Sequence, residues 1–255
     1  MHRKILGICA ALVALGAFAI APSMASAITL QDTEGGLTTK VEVGKKVVAL
    51  TDPGTIAKFS AGINVECNEN ILTGSVHKND GIESQITIEA AWFQSNLADA
   101  PNEKTECWAP STGQTVTVTI PDLTNSGGKL HWCIRSIPNK DEWEVWGNNC
   151  TTDPTTGKFT FILDFTGGIT CSYERTTPIK GTFTTVKEHQ SMTLSHPGAE
   201  FKTDTSSSIF CPASGTLSEF KFNVYTDTEG AIGNVHSKRA FVTPVGDEIF
   251  ANPVA

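Results

Sequence analysis

The chain reads as an all-β protein: two tandem, duplicated β-sandwich modules, immunoglobulin-like only in a loose sense, behind a cleavable signal peptide. Three observations lead there. Short strand-like runs separated by polar turns fill the chain. Six cysteines remain once the leader is set aside. Pairs of those cysteines recur at a fixed offset.

The leader comes first. Met1-His2-Arg3-Lys4 is basic, the run from Ile5 to Ala21 is apolar, and Ala25-Ser26-Ala27 closes the segment. A basic start, an apolar middle and an A-x-A end form the signal-peptidase pattern. The apolar run is slightly shorter than the roughly 20 residues that a membrane span needs. Residues 1–27 are therefore expected to be removed, with 28–255 secreted or held at the cell surface. Cys9 lies inside the apolar run behind Ile8, where a lipidated cysteine would follow a small residue. No second long apolar run appears, so no membrane span is expected after cleavage.

Composition narrows the partners. The chain carries 19 basic and 27 acidic residues, and without Arg3 and Lys4 the balance is more acidic still. An acidic surface repels phosphate backbones, which argues against nucleic acid as a partner. Charged residues make up only 18% of the chain, and Thr, Ser and Gly are plentiful. That is the composition of an extracellular β protein, not of a helical cytosolic enzyme.

The strand signals are explicit. Val116, Val118 and Ile120 alternate with polar residues, as do Phe220, Phe222 and Val224, and Phe159-Thr160-Phe161-Ile162-Leu163 is another such run. Turn clusters punctuate them: Asp52-Pro53-Gly54, Asn79-Asp80-Gly81 and Asn125-Ser126-Gly127-Gly128. Many short strands with polar turns indicate a sandwich or a barrel. Only the segments near Ala90–Ala98 and near Ala199 are ambiguous between helix and strand.

Six cysteines in an exported chain read as three disulfides, because no two are close enough for a C-x-x-C zinc site. Cys67 and Cys107 are 40 residues apart, as are Cys171 and Cys211, and 104 residues separate the two pairs. Flanking residues follow suit. Phe59-Ser60-Ala61-Gly62-Ile63 precedes Cys67 much as Phe165-Thr166-Gly167-Gly168-Ile169 precedes Cys171. Leu72-Thr73-Gly74-Ser75-Val76 resembles Ile179-Lys180-Gly181-Thr182-Phe183. Val116, Val118 and Ile120 lie as far past Cys107 as Phe220, Phe222 and Val224 lie past Cys211. The chain is accordingly divided into module 1, residues 28–125, and module 2, residues 126–255. The repeat selects Cys67–Cys107 and Cys171–Cys211, which leaves Cys133–Cys150. Each of the longer loops should stabilise the fold by about 4 kcal/mol in the chain-entropy model. Thr105 and Ile209 stand where a tyrosine corner would place Tyr, so the immunoglobulin likeness stays loose.

An ordered set of motifs runs along the chain, beginning with Val65-Glu66-Cys67 with Leu72-Thr73-Gly74, Trp132-Cys133, and Gly147 before Cys150. They continue through Phe161-Ile162-Leu163-Asp164-Phe165-Thr166-Gly167 and Cys171-Ser172-Tyr173-Glu174-Arg175-Thr176. The set closes with Ile179-Lys180-Gly181-Thr182-Phe183-Thr184-Thr185 and Phe210-Cys211-Pro212-Ala213-Ser214-Gly215-Thr216-Leu217. In this set the chain resembles a group of uncharacterised secreted β-rich proteins of soil actinobacteria, over residues 35–230 and not the segment after them. The resemblance implies secretion, but no activity, ligand or catalytic residue.

Enzyme motifs are missing. There is no G-x-S-x-G elbow, and His77, His131, His189, His196 and His236 form no H-E-x-x-H. Carboxylates cluster at Asp141, Glu142 and Glu144 and at Asp227 and Glu229, without a sign of a cleft between them. Asp227-Thr228-Glu229-Gly230 reads as a hairpin turn, like Asp32-Thr33-Glu34-Gly35. No catalytic residue, metal or cofactor is expected. The segment of greatest interest runs from Trp132 to Cys150. Trp143 and Trp146 are three apart, so on a strand they face opposite sides. An exposed indole flanked by Asp141 and Asn148 is one way to build a sugar-binding surface. The plainer reading, that Trp132, Trp143 and Trp146 pack the junction between the modules, takes precedence.

The sequence thus predicts a secreted, non-catalytic structural or adhesive protein whose partner is an unknown extracellular protein or polysaccharide. A carbohydrate-binding protein using Trp132–Trp146 is the alternative, and a secreted hydrolase is a remote third.

Overall fold

A computed structural model describes residues 28–34, 37–52, 54–94, 106–121, 130–138, 140–151, 157–186, 189–194, 198–226 and 249–253. The expected leader, the turns expected at Asn125–Gly128 and Asp227–Gly230, His196 and His236 lie outside those residues.

All described elements are strands. They are β1 (Ile28–Glu34), β2 (Leu37–Lys40), β3 (Lys46–Thr51), β4 (Ala57–Ala61), β5 (Ile63–Cys67), β6 (Glu69–Asn79), β7 (Ser84–Gln94), β8 (Glu106–Ala109) and β9 (Gln114–Thr119). They continue as β10 (Trp132–Ser136), β11 (Glu142–Trp146), β12 (Phe159–Phe165), β13 (Ile169–Arg175), β14 (Ile179–Val186) and β15 (His189–Leu194). The last are β16 (Ala199–Thr203), β17 (Ser214–Ser218), β18 (Lys221–Thr226) and β19 (Ile249–Pro253). Both ambiguous segments resolve as strand where they are described: Ala90 to Gln94 lies in β7, and Ala199 opens β16.

Sandwich sheets with free edges are not what these strands form. Two sheets close on themselves as eight-stranded rings, and the third is small and open, in the order β19-β1-β2. The first ring runs β3-β6-β7-β10-β11-β14-β15-β18 and the second β4-β5-β8-β9-β12-β13-β16-β17. Every neighbouring pair in both rings is antiparallel. Closure removes the unpaired edges that open sheets must otherwise protect.

The two rings are storeys of one meander. After β3 the chain crosses into the second ring, turns between β4 and β5, and returns through Asn68 into β6. This repeats around the barrel: β7 continues toward β8, β9 toward β10, β11 toward β12, β13 toward β14, β15 toward β16 and β17 toward β18. The circular order of these strand pairs is the same in both rings.

The boundary at 125/126 therefore does not separate the rings. Each ring takes strands from both stretches, for example β4, β5, β8 and β9 from the first and β12, β13, β16 and β17 from the second. The 104-residue offset corresponds instead to a step of four strand pairs, half the circumference. At that offset the β4–β5 turn falls on the β12–β13 turn, while Gly74 of β6 and Gly181 of β14, also four strand pairs apart, are separated by 107 residues. The ungapped register past the second cysteine does not fit: β9, carrying Val116 and Val118, lies in the second ring, and β18, carrying Phe222 and Val224, in the first.

Alternation within strands builds the interior. In β4, Ala57, Phe59 and Ala61 are buried while Lys58 and Ser60 are only half-buried. In β9, Val116 and Val118 are buried and their neighbours are not. Side chains at period two share a face, so each closed ring acquires an apolar inside. One core gathers Val47, Ile86, Ile88, Ile134, Trp143 and Phe222, and the other Phe59, Val65, Val116, Leu163, Tyr173 and Phe201. Phe93, Trp132, Val145, Ile179 and Phe220 pack against both. Glycine makes room for the largest rings. A Cβ on Gly181 would lie 2.1 Å from the Trp143 indole, and one on Gly215 would lie 2.2 Å from the Phe59 ring.

The small sheet caps the first ring. Leu30 and Val41 join its core. Asn79, at the β6–β7 turn, accepts from the Leu30 N–H and donates to the Leu30 and Val41 carbonyls at 2.8–3.0 Å. β19 pairs with β1, which gives part of the C-terminal segment a place in the fold.

All three disulfides expected from the sequence are formed: Cys67–Cys107, Cys133–Cys150 and Cys171–Cys211. The first joins neighbouring β5 and β8 of the second ring. Three disulfides mark an oxidising environment.

Candidate functional site

The Trp132–Cys150 segment forms the β10–β11 hairpin, with Cys133 opposite Trp146 and Arg135 opposite Glu144. Trp143 and Trp146 do face opposite sides. Trp143 points inward, is 3% exposed, and donates its indole N–H to the Thr182 carbonyl at 3.0 Å. Trp146 belongs to neither core, yet it is only 9% exposed. The Arg135 guanidinium lies over its ring, 5.4 Å from the centroid. The same guanidinium pairs with Glu144, itself buried. Trp132 is half-buried at the waist between the cores, edge-on to Phe159 at 5.3 Å.

Neither Trp143 nor Trp146 offers the exposed ring that a stacking surface for sugars needs. Asp141 is exposed and Asn148 half-buried, with Asn148 accepting from the Asn149 N–H at 2.9 Å. These two polar residues have no open indole from this hairpin beside them. The nearby carboxylates are matched to cations, Glu142 to Lys140 and Glu144 to Arg135. The tryptophan with an open ring among the described residues is Trp108 on β8, 42% exposed. Among the described residues no group of three or more His, Cys, Asp or Glu is placed to hold a metal ion.

A different surface stands out at the far end of the second ring. There, residues 204–213 join β16 to β17. The backbone of this loop is fastened to β13. Asp204 N–H donates to the Ser172 carbonyl at 2.9 Å, and Ser208 N–H to the Thr170 carbonyl at 3.0 Å. Ser207 exchanges two hydrogen bonds with the Ser172 backbone. Thr203 donates its hydroxyl to the Pro212 carbonyl. The disulfide from Cys211 to Cys171 adds a covalent tie. Hydrogen bonds from the Thr205 hydroxyl and from the Ser206 N–H and hydroxyl hold the Asp204 carboxyl below the usual carboxylate range.

The tip of this fastened loop is apolar and open. Ile209 is 93% exposed and Phe210 76%. Ile169, also exposed, neighbours Thr170, the residue that anchors Ser208. Two large apolar side chains thus stand in solvent on a backbone tied to β13 by hydrogen bonds and a disulfide. One signal for it is present in the chain, an Ile-Phe pair directly before a disulfide cysteine in a Ser-rich stretch. That signal is not decisive, because a run of this kind reads equally well as a buried strand.

Fold and surface together define a disulfide-tied, closed all-β barrel that presents a framed apolar loop. No protein-family model matches the chain, no curated protein is significantly similar to it, and no solved structure matches it. Among the described residues no helix is long and apolar enough to cross a membrane.

Proposed function

We propose that this is a secreted, non-catalytic structural or adhesive protein that makes its contact through the loop at residues 204–213. The observation that carries the reading is the exposure of Ile209 and Phe210 on a backbone fixed by Cys171–Cys211 and by hydrogen bonds to β13. Exposed apolar side chains destabilise nothing when left in water, but they gain on burial, roughly 1.5–3 kcal/mol for a full side chain. The signal-peptide pattern and the three disulfides support export. The half-circumference offset supports descent by duplication of a four-strand-pair unit, in place of two self-contained sandwiches.

The test is retention of residues 28–255 on purified cell walls, on insoluble polysaccharides and on immobilised extracellular protein, beside an Ile209→Ser, Phe210→Ser double variant. Wild type should be retained on at least one matrix and the variant released. Their stabilities should agree within about 0.5 kcal/mol, because the changed side chains are on the surface. Equal retention of both proteins would remove the loop from the reading.

The polysaccharide alternative now has Trp108 as its support, with its half-open ring on β8. Trp108→Ala would then abolish retention on polysaccharide while Trp143→Ala would act only through stability.

A further inference from the structure

The meeting of the two cores leaves a space of about 110 Å³ inside the barrel. Its wall draws on both rings, with Leu72, Ile88, Trp132, Val118, Leu163 and Phe220 among the residues that face it. Thr160 is the sole lining residue of polar type, and no polar atom faces the space. The Trp132 indole N–H, buried without an acceptor, is likewise not at its surface. Protein interiors normally pack to crystal density and leave few voids larger than a water molecule. Water does not fill such a wall favourably, because a buried water needs two to four polar partners. An eight-stranded barrel has an interior that is either filled by side chains or able to hold one small ligand. Here the side chains stop short at the waist. An apolar cavity of roughly 150 Å³ accepts benzene, so this one is of the size of a single ring or a short branched chain.

We propose that the waist of the barrel is a binding site for one compact hydrocarbon molecule, recognised by shape and by the absence of polar groups. The wall offers no donor or acceptor, so it selects against any ligand of the same size that carries a hydroxyl. This site lies inside the barrel and is independent of the contact loop at residues 204–213.

Benzene and phenol are the probes, added to folded wild-type protein. Trp132 and Trp143 line the space and report by fluorescence, and methyl groups of Leu72, Ile88 and Leu163 report by ligand-to-protein nuclear Overhauser effects. Benzene should bind saturably and show effects to those methyls. Phenol should bind about tenfold more weakly or worse, because its hydroxyl would be buried without a partner. Val118→Phe, which fills the space, should abolish benzene binding, and Ala57→Leu serves the same purpose if that variant does not fold. Absence of saturable benzene binding to folded wild type would overturn the proposal. So would equal affinity for phenol, or Overhauser effects confined to residues outside the waist.

Discussion

The two rings share one strand order and differ in how each is closed and filled. The first ring is lined mainly by aliphatic side chains and sealed at its outer end by the β19-β1-β2 sheet, through Leu30, Val41 and the Asn79 hydrogen bonds. Among the described residues, Val43 and Ile82 are large apolar residues exposed near that end, on separate turns. The second ring is packed around a cluster of aromatic rings. Phe59 lies edge-on to Phe161, Tyr173 and Phe201 at centroid distances of 4.8, 4.9 and 6.1 Å. It also carries Cys67–Cys107 and Cys171–Cys211, and it holds out Ile209 and Phe210. Labour is divided between the storeys. One is capped by the sheet in which β1 pairs with β19, and in the other a disulfide and backbone hydrogen bonds tie the loop at its mouth to β13.

The contrast between the storeys is tested most severely at the centre of the aromatic cluster. Phe59→Ala should cost about 4–5 kcal/mol, by lost burial and the cavity left behind. Leu30→Ala, in the cap of the first ring, should cost about 3 kcal/mol on the same grounds. Denaturant unfolding followed by tryptophan fluorescence and by far-ultraviolet circular dichroism measures both. Coincident transitions in each variant would show that the storeys unfold as one unit. Separated transitions in Phe59→Ala alone would show that the second ring opens first.

Next in size are the disulfides. Serine at both Cys171 and Cys211 should cost about 4 kcal/mol, and serine at both Cys133 and Cys150 about 3 kcal/mol, because the second pair closes the shorter loop. Equal losses in urea titrations would mean that loop length does not govern these bridges. The first double variant should also free the Ile209–Phe210 tip, read as faster amide exchange in residues 204–213.

Asn79→Ala should cost about 2 kcal/mol, since it leaves the Leu30 N–H and two carbonyls of the cap without their partner. The loss should appear as accelerated amide exchange at Leu30 while amides of β13 keep their protection. The smallest effect belongs to Asp80 on the same turn. Backbone N–H donation from Glu83 and Ile82, with Lys78 beside it, lowers its carboxyl to about 2. A depressed folded value means that the ionised form is favoured by the fold. The ordering of the turn is therefore present above the usual carboxylate range and lost as pH falls through about 2. Amide shifts of Ile82 and Glu83 should titrate with that midpoint, and Asp80→Asn should abolish the titration.

Several of these features are legible in the chain. The equal spacing of two cysteine pairs leads to the correct bridges, since Cys67–Cys107 and Cys171–Cys211 each join residues 40 apart. Asn79-Asp80-Gly81 announces a turn, and Asp80 accepts from the Ile82 and Glu83 N–H groups at 2.9 Å, as a turn aspartate does. The opposed faces of Trp143 and Trp146 follow from the pleat. The shielding of Trp146 does not, because Arg135 reaches it from β10, and no local pattern states which side chain a hairpin partner will lay over a ring.

Residue type and spacing along the chain were enough to specify the all-β class, the three disulfides, the turn at Asn79-Asp80-Gly81 and the alternating faces of strands such as β4 and β9. They left open that the strands close into rings, that each long strand pair is divided between two storeys, and that the two stretches of the chain share both cores. Those features emerge only in three dimensions, because period-two alternation places a side chain inside or outside a sheet without stating which sheet. A sandwich and a barrel demand the same apolar inner face. The choice between them is made by hydrogen bonds such as those of β18 to β3 and β17 to β4, which join residues far apart in the chain.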